Sequence, residues 1–562
     1  MDNMQRLIYI TTICCLSLTV ASAQTTDTIP AASVDTVGAP SKIEVDEVEV
    51  IKAFEVKLGE AKRIGLGPKP TTPTPTKNSY QYDITIVPAE ISYADPVIKP
   101  LAISPDAKAN VDHFYTKLGY GNTASPYGDL SFYTMTPEVY DVLIDLHHFS
   151  FDNTDKIADQ KMSETNVDLK GSYLLGENTL LSLDVFGDIE GRTLYSTIQA
   201  VPPDPVTTKI SRDLGRYGGK FSVGAAEPTA SGLDYEGYIG GMYTYYSDDV
   251  AEAPSNTEVQ LTVGGNVSQK VSEKLTSYIK GGFTLADLNA AGTDKSFSTV
   301  DANAGVRYRS GRINIDAAAD LVYDAGGANI FADAELGIAI DQGMQVFVGV
   351  DQEVLQHNLS TSYDRNPFVQ LDTSLLANTL VHRYYAGLRG KVLQRLTFSL
   401  TGAYEDIADQ YYYTSSILSP TLSQQYQDAT NIAVDANVEF AINDNVKVGG
   451  HVSQNFYDLS ITEDLLNVTA SEYSVYSKLA LLQDRLHMTA DLTILDGVPF
   501  LQNGALTTGD PMYDVSIEAQ FFVLKNVALW ARGSNLLDNN YIMHAGYPTV
   551  GLQAHGGVIV KF

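Results

Sequence analysis

A chain of 562 residues carrying a formal net charge of −31 is poorly matched to nucleic acid or to an anionic lipid surface, so partners held by basic patches are excluded. Its two cysteines, Cys14 and Cys15, both lie in an N-terminal apolar run, which leaves the remainder without a disulfide framework or a thiolate metal site. The 34 tyrosines, against 19 phenylalanines and one tryptophan, suit interface girdles and polar loops more than a compact soluble core.

The chain begins with a short head containing Arg6, an apolar run from Leu7 to Val20, and Ala21-Ser22-Ala23 before Gln24. Residues 1–23 therefore read as a secretory signal with an A-x-A site at Ala21 and Ala23 and Gln24 as the first mature residue; the run is too short to span as a helix. After residue 23 there is no apolar run of about 18 residues, so any membrane crossing has to be made by strands. Residues 24–108 read as a periplasmic extension. Gln24 to Pro40 is small, Thr-rich and aperiodic, the composition of a disordered leader. Ile43 to Ile64 opens with β-like alternation and becomes charged and helix-permissive. Gly65 to Lys77 is a Pro/Thr spacer, extended and semi-rigid, and Tyr82 to Ser104 supplies one or two further short extended pieces.

From about residue 109 to 562 the sequence is a series of alternating segments. Val167, Leu169, Gly171 and Tyr173 lead into a turn at Gly176-Glu177-Asn178, and Leu181, Leu183, Val185 and Ile189 lead out, with Asp184, Asp188 and Glu190 between the outgoing apolar positions. Ala302, Ala304, Val306 and Tyr308 approach Ser310-Gly311; Ile313, Ile315, Ala317, Ala319 and Leu321 leave it, interleaved with Asp316 and Asp320. Tyr513, Val515, Ile517, Ala519, Phe521 and Val523 alternate with Asp514, Ser516, Glu518 and Gln520. Side chains on a strand alternate between faces, so each segment has one lipid-compatible face and one polar face. Connections alternate as well. Tight turns at Thr136–Glu138, Gly176–Asn178, Val271–Glu273, Ser310–Gly311, Asp341–Gly343, Asn443–Asn445, Gln483–Asp484 and Lys525–Asn526 are separated by long ones at Thr197–Arg212, His357–Ala377, Asp409–Gln425, Gly497–Asp510 and Leu537–Thr549. Short periplasmic turns and long outer loops are the pattern of an all-β transmembrane antiparallel barrel, here of about 22 strands. The last segment, VGLQAHGGVIVKF, places Val558, Val560 and Phe562 on the lipid-compatible face and ends on an aromatic residue, as a closing strand read by the barrel-assembly machinery does. The location is thus the outer membrane of a Gram-negative bacterium, with the N-terminal region in the periplasm.

Asn535-Leu536-Leu537-Asp538-Asn539-Asn540-Tyr541, then Gly546-Tyr547-Pro548 and the terminal strand, resemble the C-terminal end of TonB-dependent receptors, where an N-L-x-D-x-x-Y segment precedes an outer loop with a G-Y-P-like element and a last strand ending in Phe. The opening IEVDEVEVIKAF is similar to the V-E-E-V-V-V stretch that precedes the plug of those receptors. Between residues 54 and 108, however, there are roughly 55 residues, too few for a receptor plug. The tract IKAFEVKLGEAKRI is closer to that of plugless, receptor-like outer-membrane proteins of Bacteroidetes-type bacteria. What the resemblance implies is a transport-type barrel in outer-membrane lipid, with envelope proteins as further partners and without a conventional plug.

Chemical motifs are weak by comparison. Adjacent His147 and His148 point to opposite faces of a strand and cannot share one ion, and His382, His451, His487 and His555 fall on separate strands. No nucleophile motif singles out a serine. Gly119 to Ala124 is a hairpin turn outside any βαβ unit, Gly218-Gly219-Lys220 lacks the leading glycine of a phosphate loop, and Asp152, Asn153 and Asp155 have no twelve-residue calcium frame behind them. Tyr243, Tyr245 and Tyr246, Tyr384 and Tyr385, and Tyr411 to Tyr413 lie near outer strand ends and read as girdle and loop packing. The expectation is no catalytic residue, cofactor or metal. Two functions follow: a porin-like pore or passive transporter for small solutes, or a structural subunit docking periplasmic or barrel partners. In the first, Asp184, Asp188, Glu190, Asp316, Asp320, Asp514 and Glu518 line an acidic lumen that favours cations.

Overall fold

Period-two sequence becomes strand wherever the chain is described. The computed structural model describes residues 113–562 apart from 196–208, 250–255, 291–292, 325, 342, 371–377, 416–419, 462–463, 503–504 and 545. Residues 1–23 and 24–108, with Ala21, Ala23 and Gln24, lie outside that range. Among the described residues, 23 strands share one sheet, and one of them, Val369–Gln370, is a two-residue parallel addition to Leu422–Asn443. The other 22 pair antiparallel with their barrel neighbours in chain order, and the first, Phe114–Gly121, pairs with the last, Gln553–Lys561. Tyr115 stands opposite Lys561 and Gly121 opposite His555. The ring therefore has no free edge, the condition for placing strands in hydrocarbon, where an unpaired backbone group costs several kcal/mol.

Parity along the strands sorts the side chains. On Thr179–Tyr195, the side chains of Leu183, Val185 and Ile189 are exposed on the outer face, while Asp184, Asp188 and Glu190 occupy the opposite one. On the last strand Val558 and Phe562 point outward, whereas His555 and Ile559 are buried on the inner face. At the rim of short turns the chain reverses within two or three residues, with Gly176 and Gly311 in the left-handed region (φ 70° and 55°) that such tight hairpins demand.

The strand order agrees with the alternation of short and long connections, and the differences concern where strands stop. Gly232 to Ser247 forms one strand, Leu233–Asp248. The Asp409–Gln425 connection is shorter than its sequence indicates. Strand Leu396–Ser415 continues past a β-bulge between Ile407 and Gln410, and its partner begins at Leu422, because tyrosines 411 to 413 and the facing glutamines keep the ladder paired beyond the lipid. Two long loops carry small hairpins, Pro499–Gln502 with Ala505–Thr508 and Ile542–His544 with Tyr547–Pro548. The loop after Met344–Leu355 holds a helix, Leu359–Arg365. Its capping box, Asn358 accepting from the Thr361 amide while Thr361 accepts from the Asn358 amide, is a local start signal inside a segment otherwise read as loop.

The main buried cluster lies at the long-loop end. Leu194, Leu288, Leu359, Tyr363, Val369, Tyr413 and Leu422 are almost wholly buried there, joined by Phe368, Phe500 and Tyr547. Hydrophobic burial thus does little for the wall, which lipid and backbone pairing hold, and concentrates where loops must be fixed over the mouth.

Candidate functional site: the lumen and its outer mouth

Asp184, Asp188, Glu190, Asp316, Asp320, Asp514 and Glu518 lie on the strand faces opposite the exposed apolar side chains, and most have a partner there. Asp188 lies 3.2 Å from Arg216, Glu190 2.7 Å from Arg192 and Glu518 2.9 Å from Lys117. Asp316 takes Arg307 at 3.2 Å and the Tyr278 hydroxyl at 3.1 Å. Asp320 accepts from the Asn303 amide, Asp514 accepts from the Asn535 backbone at 2.8 Å, and Asp184 sits beside Lys220 across the strand pair. The inner wall is therefore a lattice of alternating charges in which carboxylates recur.

The outer mouth is narrowed from inside. Glu258 is buried on a strand whose neighbours Val259 and Leu261 face outward, so its carboxylate points into the cylinder. That carboxylate accepts the backbone N–H of Leu359 at 2.7 Å, which places the helix Leu359–Arg365 inside the ring. Arg216 reaches the same helix through Asp364 and Ser360. Arg212, 3% exposed, donates two bonds to Asp248 at 2.7 and 2.8 Å and two more to the carbonyls of Pro367 and Val369 at 3.1 and 2.7 Å. It also stacks over Tyr246 and Tyr363. Beyond the helix, Phe368 stacks on Tyr547 at 3.6 Å and Val369 joins the edge of Leu422–Asn443. One segment thus crosses from the Lys209–Asn256 side of the wall to the strand at 422.

His357 anchors the near end of this segment. Its Nδ1 accepts from Arg365 at 2.6 Å and from Gln424 at 3.2 Å, and its Nε2 donates to Thr379 at 2.8 Å. Only a neutral imidazole fits that arrangement, and burial, helped by the Arg365 charge, pushes its pKa down to about 3. His544 in the Ile542–His544 hairpin is pushed down to about 4 by burial and by Arg192.

The receptor-like motif has a mechanical role in this geometry. The Asn535 side chain bonds the carbonyls of Asn539 and Val550 at 2.6 and 3.0 Å, Asp538 accepts the Leu552 amide at 2.7 Å, and Tyr541 donates to the Tyr513 carbonyl at 3.1 Å. Leu536 is exposed beside them, while Tyr547 is buried under the mouth and donates to the Pro420 carbonyl; Gly546 (φ 83°) and Pro548 shape the turn around it. These contacts fix the last outer loop so that the final strand re-enters in register. At the closure, Trp530 donates to the Leu118 carbonyl at 3.0 Å and carries Lys117 over its ring at 4.3 Å. The tyrosine clusters divide: Tyr243 and Tyr384 are on the outer girdle, while Tyr246 and Tyr413 are buried in the mouth. Sequence reading did not single out Arg212 and Glu258, since one charge in an alternating strand carries no mark of the loop that will seat on it. Among the described residues, no group of three or more His, Cys, Asp or Glu side chains is placed to hold a metal.

Twenty-two antiparallel strands closed into a ring, apolar outside and charged within, define a β-barrel of the transmembrane type. No protein-family model matches the chain, and no curated protein sequence matches it. Solved structures do. The ferric-catecholate import receptor Fiu of E. coli K12 is similar with a TM-score of 0.60 at 10% identity, over 81% of this chain and 82% of that one. The pyoverdine receptor FpvA of Pseudomonas aeruginosa PAO1, bound to pyoverdine, gives 0.61 at 9% over 80% and 79%. The FrpB iron transporter of Neisseria meningitidis gives 0.63 at 9% over 80% and 83%. These are import receptors and transporters, not enzymes, and at such identities they share the barrel fold with this chain.

Proposed function

We propose that the protein is a passive, size-restricted conduit for small solutes across the outer membrane. The observation that carries this reading is the segment Leu359–Val369, seated inside the ring on Glu258, Arg212 and Arg216. A loop bound to the inner wall narrows a lumen that stays polar around it, and a polar lumen beyond a narrow mouth passes small hydrated solutes. In this reading the roughly 55 residues between 54 and 108 are a periplasmic tract and not a receptor plug, so the ferric-catecholate import named for Fiu is not part of it. The lumen-facing carboxylates bias passage toward cations, and because charges in a water-filled barrel are screened over roughly 8 to 10 Å at physiological salt, that bias weakens as salt rises. Planar-bilayer recordings test this on the full chain and on a form lacking residues 24–108. The expected result is a small conductance in both, cation-selective and less selective as salt rises. An anion-selective current, or no current from either form, overturns it.

A further inference from the structure

One cavity of the inner wall, of about 270 Å³, is lined by four basic and three acidic side chains. Most of these charges are engaged. Asp316 is held by Arg307 and Tyr278, and Glu335 by Arg389 and the Tyr385 hydroxyl. Two are not: among the described residues neither the Lys280 ammonium nor the Asp333 carboxylate has a hydrogen-bond partner. The Lys280 ammonium only leans over the Tyr278 ring at 5.5 Å. Asp333 stands opposite Ala318, which sets Asp316 and Asp320 diagonally on either side of it across the ladder, and Lys280 lines the same cavity.

We propose that this cavity is a subsite for a small zwitterion, an amino acid or a dipeptide with a free ammonium and a free carboxylate. A carboxylate flanked by two others across the ladder is poised for a cation, and the ligand's ammonium supplies one at Asp333. The ligand's carboxylate then meets Lys280 and Arg309, whose guanidinium holds Asp316 only at 3.8 Å. A simple amine leaves the basic side unanswered, and a simple anion meets the carboxylates, so the pair of charges selects a molecule that carries both. The volume lies just under the roughly 300 Å³ at which drug-sized ligands begin, which favours a solute of this size. The inference rests on solutes entering the lumen as proposed above.

The test is calorimetric titration of the detergent-solubilised full chain with alanyl-alanine, its N-acetylated form and its C-terminal amide. The free dipeptide should bind, and each capped form should bind at least about tenfold more weakly, since each loses a bond to a charged group. Lys280→Met and Asp333→Asn should each weaken the free dipeptide similarly while retaining heat-modifiable mobility. Equal binding of capped and free forms, undiminished binding to both variants, or no heat with the free dipeptide overturns the subsite. Liposome swelling on the same preparations separates the two proposals: binding without permeation sinks the conduit and leaves the subsite, and dipeptide permeation without binding does the reverse.

Discussion

Replacing Arg212 by methionine keeps the volume and removes four hydrogen bonds, two to Asp248 and two to the carbonyls of Pro367 and Val369. Breaking one partner of a buried pair costs about 3 kcal/mol at the low end, appropriate because Asp248 keeps some contact with solvent. The expected outcome is faster hydrogen exchange and proteolysis around residues 359–369, with the barrel itself intact. His357 and His544 set a pH dependence at the same place. Both are neutral when docked, with values pushed to about 3 and 4, against about 6.5 when released. The released segment therefore binds more protons between those values. The histidines' contribution to docking is whole above about pH 6.5 and falls as pH drops, by up to about 1.4 kcal/mol per unit for each histidine. From pH 7 to pH 5 the protection of this segment, taken relative to the intrinsic exchange rate at each pH, should fall more in the parent protein than in His357→Gln.

At the scale of elements, the wall was legible because alternation and turn spacing are local and repeated. Asp316 between Ile315 and Ala317 declares its face without any knowledge of its partners. The mouth was legible only as a set of long loops. Whether His357 to Gln370 extends outward or turns in depends on Glu258 and Arg212, residues about a hundred or more positions away in sequence, and a seven-residue helix carries almost no periodic signal. Its N-cap, Asn358 with Thr361, was the one mark present in the residues. Replacing Leu359–Arg365 by a short Gly/Ser link should raise single-channel conductance several-fold while leaving heat-modifiability unchanged; an unchanged conductance would show that other loops set the constriction. Tyr541→Phe, which removes the bond to the Tyr513 carbonyl, should cost only about 1 kcal/mol and appear as loosening of the final outer loop.

For the whole molecule, closure decides whether there is a membrane protein at all. Deleting Val558 to Phe562 strips the first strand of most of its partner and opens an edge that lipid cannot satisfy, so little heat-modifiable protein should reach the outer membrane. Gly557→Val should have a similar though weaker effect, because a Cβ at Gly557 would collide with the Leu118 carbonyl of the first strand. Full membrane yield of either variant would overturn the closing role of this strand.

The same closure has a kinetic side. Trp530 reaches Leu118 across 412 residues and Ala554 reaches Asn122 across 432, whereas nearly every other ladder joins chain neighbours. Hairpins along the wall can form as the chain is delivered, each at a small loop-closure cost. The final joining must wait for the last segment and bring together ends separated by almost the whole barrel. Loop-closure entropy grows only logarithmically with length, yet contacts so distant in sequence dominate the folding rate. Refolding into detergent micelles should therefore show fast gain of strand content followed by a slow phase read by Trp530 fluorescence, the only tryptophan in the chain and one seated at that joint.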